Sequence, residues 1–81
     1  MEKDKIQDKI QEICKDVFNE ENLIININTN ASDIAQWDSL NHLNLISSIE
    51  EEFDIKFDFE EIGSLKNIGD IIDIILNKKI D

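Results

Sequence analysis

Few side chains in this sequence invite chemistry, and most of those sit at residues 37 to 42, Trp-Asp-Ser-Leu-Asn-His. Asp38, Ser39 and His42 supply the residue types of a hydrolytic triad. Hydrolysis also needs a cleft and an oxyanion hole, and His42 would share a helical turn with Ser39. Zinc needs several Cys or His ligands, and the chain has one of each. A calcium loop opening at Asp54 would need glycine and glutamate where Phe59 and Leu65 stand. One opening at Asp33 meets Asp38 in place of the glycine. Two glycines, Gly63 and Gly69, make no phosphate-cradling loop. Cys14 lies beside an apolar stripe and reads as a small buried hydrophobe. The chain is therefore expected not to be an enzyme. What remains is a serine hydroxyl at a helix start and a group of acids where that helix ends.

Those acids are Glu50, Glu51, Glu52 and Asp54. Glu50 and Asp54 are four residues apart, a like-charge spacing that costs about 0.2–0.5 kcal/mol on a helix. Acids near a helix C-terminus also oppose its dipole, by roughly 0.3–1 kcal/mol each when exposed. A solvated, solubilising face is the plain explanation. Several local rules broken on one helix, with no local gain visible in the sequence, point instead to a surface kept for a partner.

The elements that position these groups follow from periodicity. Ile6, Ile10, Ile13 and Val17 recur at helical spacing and predict a first helix. Residues 19 to 37 are rich in Asn, Ser and Asp and show no helical stripe. They predict a long loop pinned by apolar anchors, with a short alternating piece at Leu23, Ile25 and Ile27. From Ser39 a second helix is expected, its stripe formed by Leu40, Leu43, Ile46, Ile49 and Phe53, with Asp38 or Ser39 as its cap. A single turn near Phe59 to Ile62 should end at Gly63. Asn67 can cap a last helix that turns Ile68, Ile71, Ile72, Ile75 and Leu76 inward. The expected fold is all-α: one domain over residues 1–81, a small antiparallel bundle of three main helices plus one short helix, with a long loop between helices 1 and 2.

Composition narrows the partners. Eight basic residues, all lysine, face nineteen acidic ones, for a net charge of −11. That balance excludes nucleic acid, whose phosphates need a basic face, and disfavours anionic membrane surfaces. It favours basic protein partners found by electrostatic steering. One cysteine forms no internal disulfide, and no apolar run approaches the ~20 residues of a membrane span, so a cytoplasmic, monomeric protein is expected.

The combination of a small acidic helical chain, a long loop and Asp-Ser-Leu opening a helix resembles the acyl carrier protein family. "WDSLNHLNLISSIEEEFDIKF" carries most of the resemblance, and the closing "NIGDIIDII" extends it over essentially the whole chain. The resemblance implies a 4'-phosphopantetheine arm attached to Ser39, on which acyl or aminoacyl groups are carried as thioesters. It implies that Asp38 positions the modifying chemistry. Leu40, on the apolar stripe, is expected to lock the turn into the core, and Asn44, Glu50 and Glu51 to face partners. Those partners would be a phosphopantetheinyl transferase and acyl-loading and acyl-transferring enzymes with basic patches. Carriers of fatty acid synthesis usually place Gly and a small residue before Asp-Ser-Leu and acids soon after it. Here Gln36 and Trp37 precede it, and Asn41, His42 and Asn44 follow. Trp37 reads as a packing anchor and His42 as a solvated helix residue. The departures suggest a dedicated carrier in polyketide, nonribosomal or glycan-modifying chemistry, with fatty acid synthesis as the other pathway. An aminoacyl or peptidyl carrier is the near alternative, and an unmodified acidic adaptor for a basic partner the distant one.

Overall fold

The computed structural model describes residues 3–79 and is all-α, with no strand among the described residues. Four helices follow in order: α1 (Lys3–Val17), α2 (Ser39–Phe53), α3 (Phe59–Ser64) and α4 (Ile68–Lys79). α1 packs against both α2 and α4. The core is largely isoleucine: Ile6 and Ile10 from α1, Ile46 and Ile49 from α2, and Ile68, Ile71, Ile72 and Ile75 from α4. No described helix is long and apolar enough to cross a membrane.

The helices start and stop by local chemistry. α1 and α2 both end on a residue in the left-handed region, Asn19 (φ 53°) and Asp54 (φ 55°). Asn and Asp adopt that conformation at lower cost than other side-chain-bearing residues, so no glycine is needed. The next residue's N–H then reaches back, Glu20 to the Lys15 carbonyl at 2.9 Å and Ile55 to the Glu50 carbonyl at 3.1 Å. These bonds satisfy carbonyls that a helix end leaves open. α3 begins with a capping box: Asp58 accepts the Glu61 N–H, and Glu61 accepts the Asp58 N–H. Gly63 was expected to end α3 but lies inside it. The chain leaves α3 through Leu65 in an extended conformation, so no left-handed residue is required.

The loop from residue 18 to 38 explains its own composition. Asn26, Asn30 and Asp33 side chains accept loop N–H groups, as does the buried Thr29 hydroxyl. These turns replace the backbone pairing that a helix or sheet would provide. Ile25 is clamped to α1, its N–H donating to Gln11 Oε1 at 3.0 Å. Two loop carbonyls receive the first N–H groups of α4, Thr29 from Ile68 and Ile27 from Gly69, both at 2.9 Å. A methyl on Gly69 would stand 3.0 Å from the Ile27 carbonyl oxygen, so this junction depends on a bare Cα. Asn67 Oδ1 takes the Asp70 N–H and caps α4 as expected.

The α2 stripe departs from expectation. Ile46, Ile49 and Phe53 are buried, but Leu40 is 69% exposed and Leu43 55% exposed, while Leu45 is fully buried. Leu40 therefore does not lock the turn into the core. Ile34 and Trp37 from the loop are buried in the core instead, and the two leucines are left outside.

Candidate functional site

Ser39 is the first residue of α2, and Asp38 is its cap. Asp38 is extended (φ −102°, ψ −176°), and its Oδ1 accepts the Asn41 N–H at 2.8 Å. Its carbonyl accepts the His42 N–H at 2.8 Å. Because the aspartate does the capping, the Ser39 hydroxyl is not needed for it. Ser39 is exposed at the positive end of the helix dipole, where a negative group is favoured.

The segment before it is tightly held. Asp38 N–H reaches the Gln36 carbonyl at 3.0 Å, and Asn41 Nδ2 donates to the same carbonyl at 2.8 Å. Trp37 is buried, with its ring 5.8 Å from that of Phe18 at the end of α1. It is the packing anchor that the sequence suggests. His42 is not the solvated residue expected: it is half-buried, accepts the Trp37 Nε1–H at 3.0 Å and lies 3.2 Å from the Ile62 carbonyl. A buried indole N–H needs an acceptor, and the lone His a turn and a half away was the sequence signal for this pairing.

Beside Ser39 runs an open groove of about 630 Å³. Its lining includes His42 and Leu43 from α2, Ile62 and Gly63 from α3, and Leu65 and Lys66 after it. The groove offers apolar contact with one cation near the serine. No group of three or more potential metal ligands occurs among the described residues. Cys14 is fully buried, and burial pushes its thiol up to about 12, so it is no nucleophile at neutral pH.

The residues expected to meet partners divide. Asn44 and Glu51 are exposed on α2. Glu50 is half-buried, and its Oε2 accepts the Phe57 N–H at 2.9 Å. The expectation that it brings no local benefit does not hold: it ties the chain after α2 back to the helix. The contact spans seven residues through a loop, which no helical spacing rule reveals. Glu52 pairs with Lys9 of α1 at 3.3 Å.

The pattern of the phosphopantetheine attachment site family matches residues 8–75. An acyl carrier protein of Coprothermobacter proteolyticus is 31% identical over 93% of this chain and 92% of its own. One from Clostridium acetobutylicum is 31% identical over 84% of this chain and 88% of its own. The solution structure of a holo acyl carrier protein from Geobacter metallireducens superposes with a TM-score of 0.84 at 40% identity, covering 90% of this chain and 84% of that one. By sequence over most of its length and by fold, the chain belongs to the acyl carrier protein family, whose members are carriers rather than catalysts and use phosphopantetheine as cofactor.

Proposed function

We propose that residues 1–81 act as one acyl-carrier-like domain with the phosphopantetheine arm attached to Ser39. When attached, the arm supplies a terminal thiol on which acyl or aminoacyl groups are held as thioesters. The observation that carries the reading is the division of labour at the start of α2. Asp38 caps the helix, and Ser39 beside it is exposed and free for modification. The residues present fit the group. A phosphodiester on the Ser39 oxygen would face helix N–H groups, and the apolar groove alongside offers the arm a resting surface.

Asp38 holds the turn that presents the serine. Leu40 and Leu43, both exposed, offer partners an apolar contact next to it. Asn44 and Glu51 give a polar and acidic rim further along α2, joined by whatever part of Glu50 its bond to Phe57 leaves accessible. With a net charge of −11, a phosphopantetheinyl transferase and acyl-handling enzymes with basic patches are the partners this surface suits. The domain works as a monomer, in a specialised pathway rather than general fatty acid synthesis. Supporting that lean are the missing acids in the first turn of α2 and the Trp37–His42 pair in front of the groove.

Intact mass after incubation with a phosphopantetheinyl transferase and coenzyme A tests the assignment. The parent should gain one phosphopantetheinyl group, and Ser39→Ala should gain none while keeping its helical circular dichroism. Modification that survives in Ser39→Ala would move the site to another serine. A parent that stays at its unmodified mass with several transferases would end the carrier reading.

A further inference from the structure

The chain's one tryptophan and one histidine meet in the lining of the groove, and attachment of the arm at Ser39 uses neither. An indole N–H only donates, so the nitrogen it meets, His42 Nδ1, must be bare. A carbonyl only accepts, so His42 Nε2, facing Ile62, must carry the proton. The two neighbours together select one species, the neutral ring protonated on Nε2. Adding a second proton would set two N–H groups against each other, and the bond to Trp37 would be lost.

What this ring holds in place is α3. That helix buries no residue completely. Its attachments include the half-buried Ile62, the Glu61–Lys78 ion pair at 3.0 Å and the His42 contact. One hydrogen bond is a large share of so small a set. α3 also supplies Ile62 and Gly63 to the groove wall opposite His42 and Leu43.

We infer that His42 is a positioning residue: its imidazole joins α3 to the loop in front of Ser39 and sets the shape of the adjoining groove. The use of that groove rests on the carrier reading, but the bridge itself does not. The charged residues that line the groove with the ring are Asp38 just before α2 and Lys66 after α3, with Glu61 next in sequence to Ile62. The Asp38 carboxylate is held by the Asn41 N–H, and that of Glu61 by the Asp58 N–H and Lys78. Just past α1, the uncharged Phe18 ring lies against Trp37.

The test uses the unmodified full chain, so its failure is separate from failure of the Ser39 assignment, which mass alone decides. The Trp37 indole N–H resonance and amide exchange at Ile62 are compared by NMR at one pH in the parent, His42→Gln and His42→Leu. His42→Gln can still accept from the indole and donate to the carbonyl, so it should keep the parent's indole resonance and exchange. His42→Leu can do neither; it should displace the indole resonance and raise Ile62 exchange on the order of fivefold, the worth of one hydrogen bond. A folded His42→Leu variant with the parent's indole resonance and exchange would overturn the proposal, as would a His42→Gln variant that does not restore them. If His42→Leu does not fold, the parent and the glutamine variant still decide.

Discussion

At its start α2 turns Leu40 and Leu43 to solvent and carries no acid in its first turn. At its end it buries Phe53 and crowds four acids around it. The two ends are also anchored differently. The start is held by a buried aromatic from the preceding loop and by the Asp38 cap. The end is held by a left-handed Asp54 and by Glu50, which reaches forward to the Phe57 N–H. The difference teaches that exposure and charge separate here. The apolar contact surface lies beside Ser39, the acidic one lies about three to four turns away, and each end pays its structural cost with a residue next to the surface it leaves open.

The largest effect expected at either end is at Trp37. Trp37→Ala removes a buried ring packed on Phe18 and should cost about 3–5 kcal/mol in denaturant unfolding, enough to threaten a domain this small. A loss under about 1 kcal/mol would mean that the start of α2 is not anchored by this ring.

At the other end, Glu50→Ala should cost about 1–3 kcal/mol, because it strands the N–H of the buried Phe57. Glu51→Ala, exposed and without such a bond, should stay within about 0.5 kcal/mol. Equal values for the two would erase the distinction between a structural and a free acid.

The cap comes next. Asp38→Ala should lower stability by about 0.5–2 kcal/mol, with Ser39→Ala changing it little. The reverse order in thermal melts would make the serine the cap and undo the division of labour on which its assignment rests.

Smallest in stability is Glu51→Lys, which should leave the melting temperature nearly unchanged. It should slow modification by a transferase at low salt, with the deficit shrinking as the ~10 Å Debye length of 0.1 M salt shortens further. A variant modified as fast as the parent at low salt would return Glu51 to a merely solubilising role.

The all-helical architecture, the extent of α2, the Asn67 cap and the family resemblance were all legible in the residues, since each depends on neighbours a few positions away. The α1 stripe was legible too, with Cys14 correctly read as buried and Ile13 and Val17 packed at its margin. The end of α3 was not, since Gly63 lies inside it, and neither were three tertiary features. Leu40 and Leu43 fit the same helical period as Ile46 and Ile49, and the period alone does not say where along the helix the core stops. That was decided by Ile34 and Trp37 arriving from the loop. Glu50 looked like an unrewarded acid because its reward, the Phe57 N–H, comes from a turn whose path only the folded chain defines. His42 looked solvated because Ile62, twenty residues on, belongs to a helix whose placement against α2 is tertiary. Local sequence determined which segments are helical and how they are capped, because propensity, capping and periodicity act over one or two turns. Tertiary structure alone decided which side chains those helices hide and which polar atoms they bridge, because burial and long-range hydrogen bonds exist only once the segments have met.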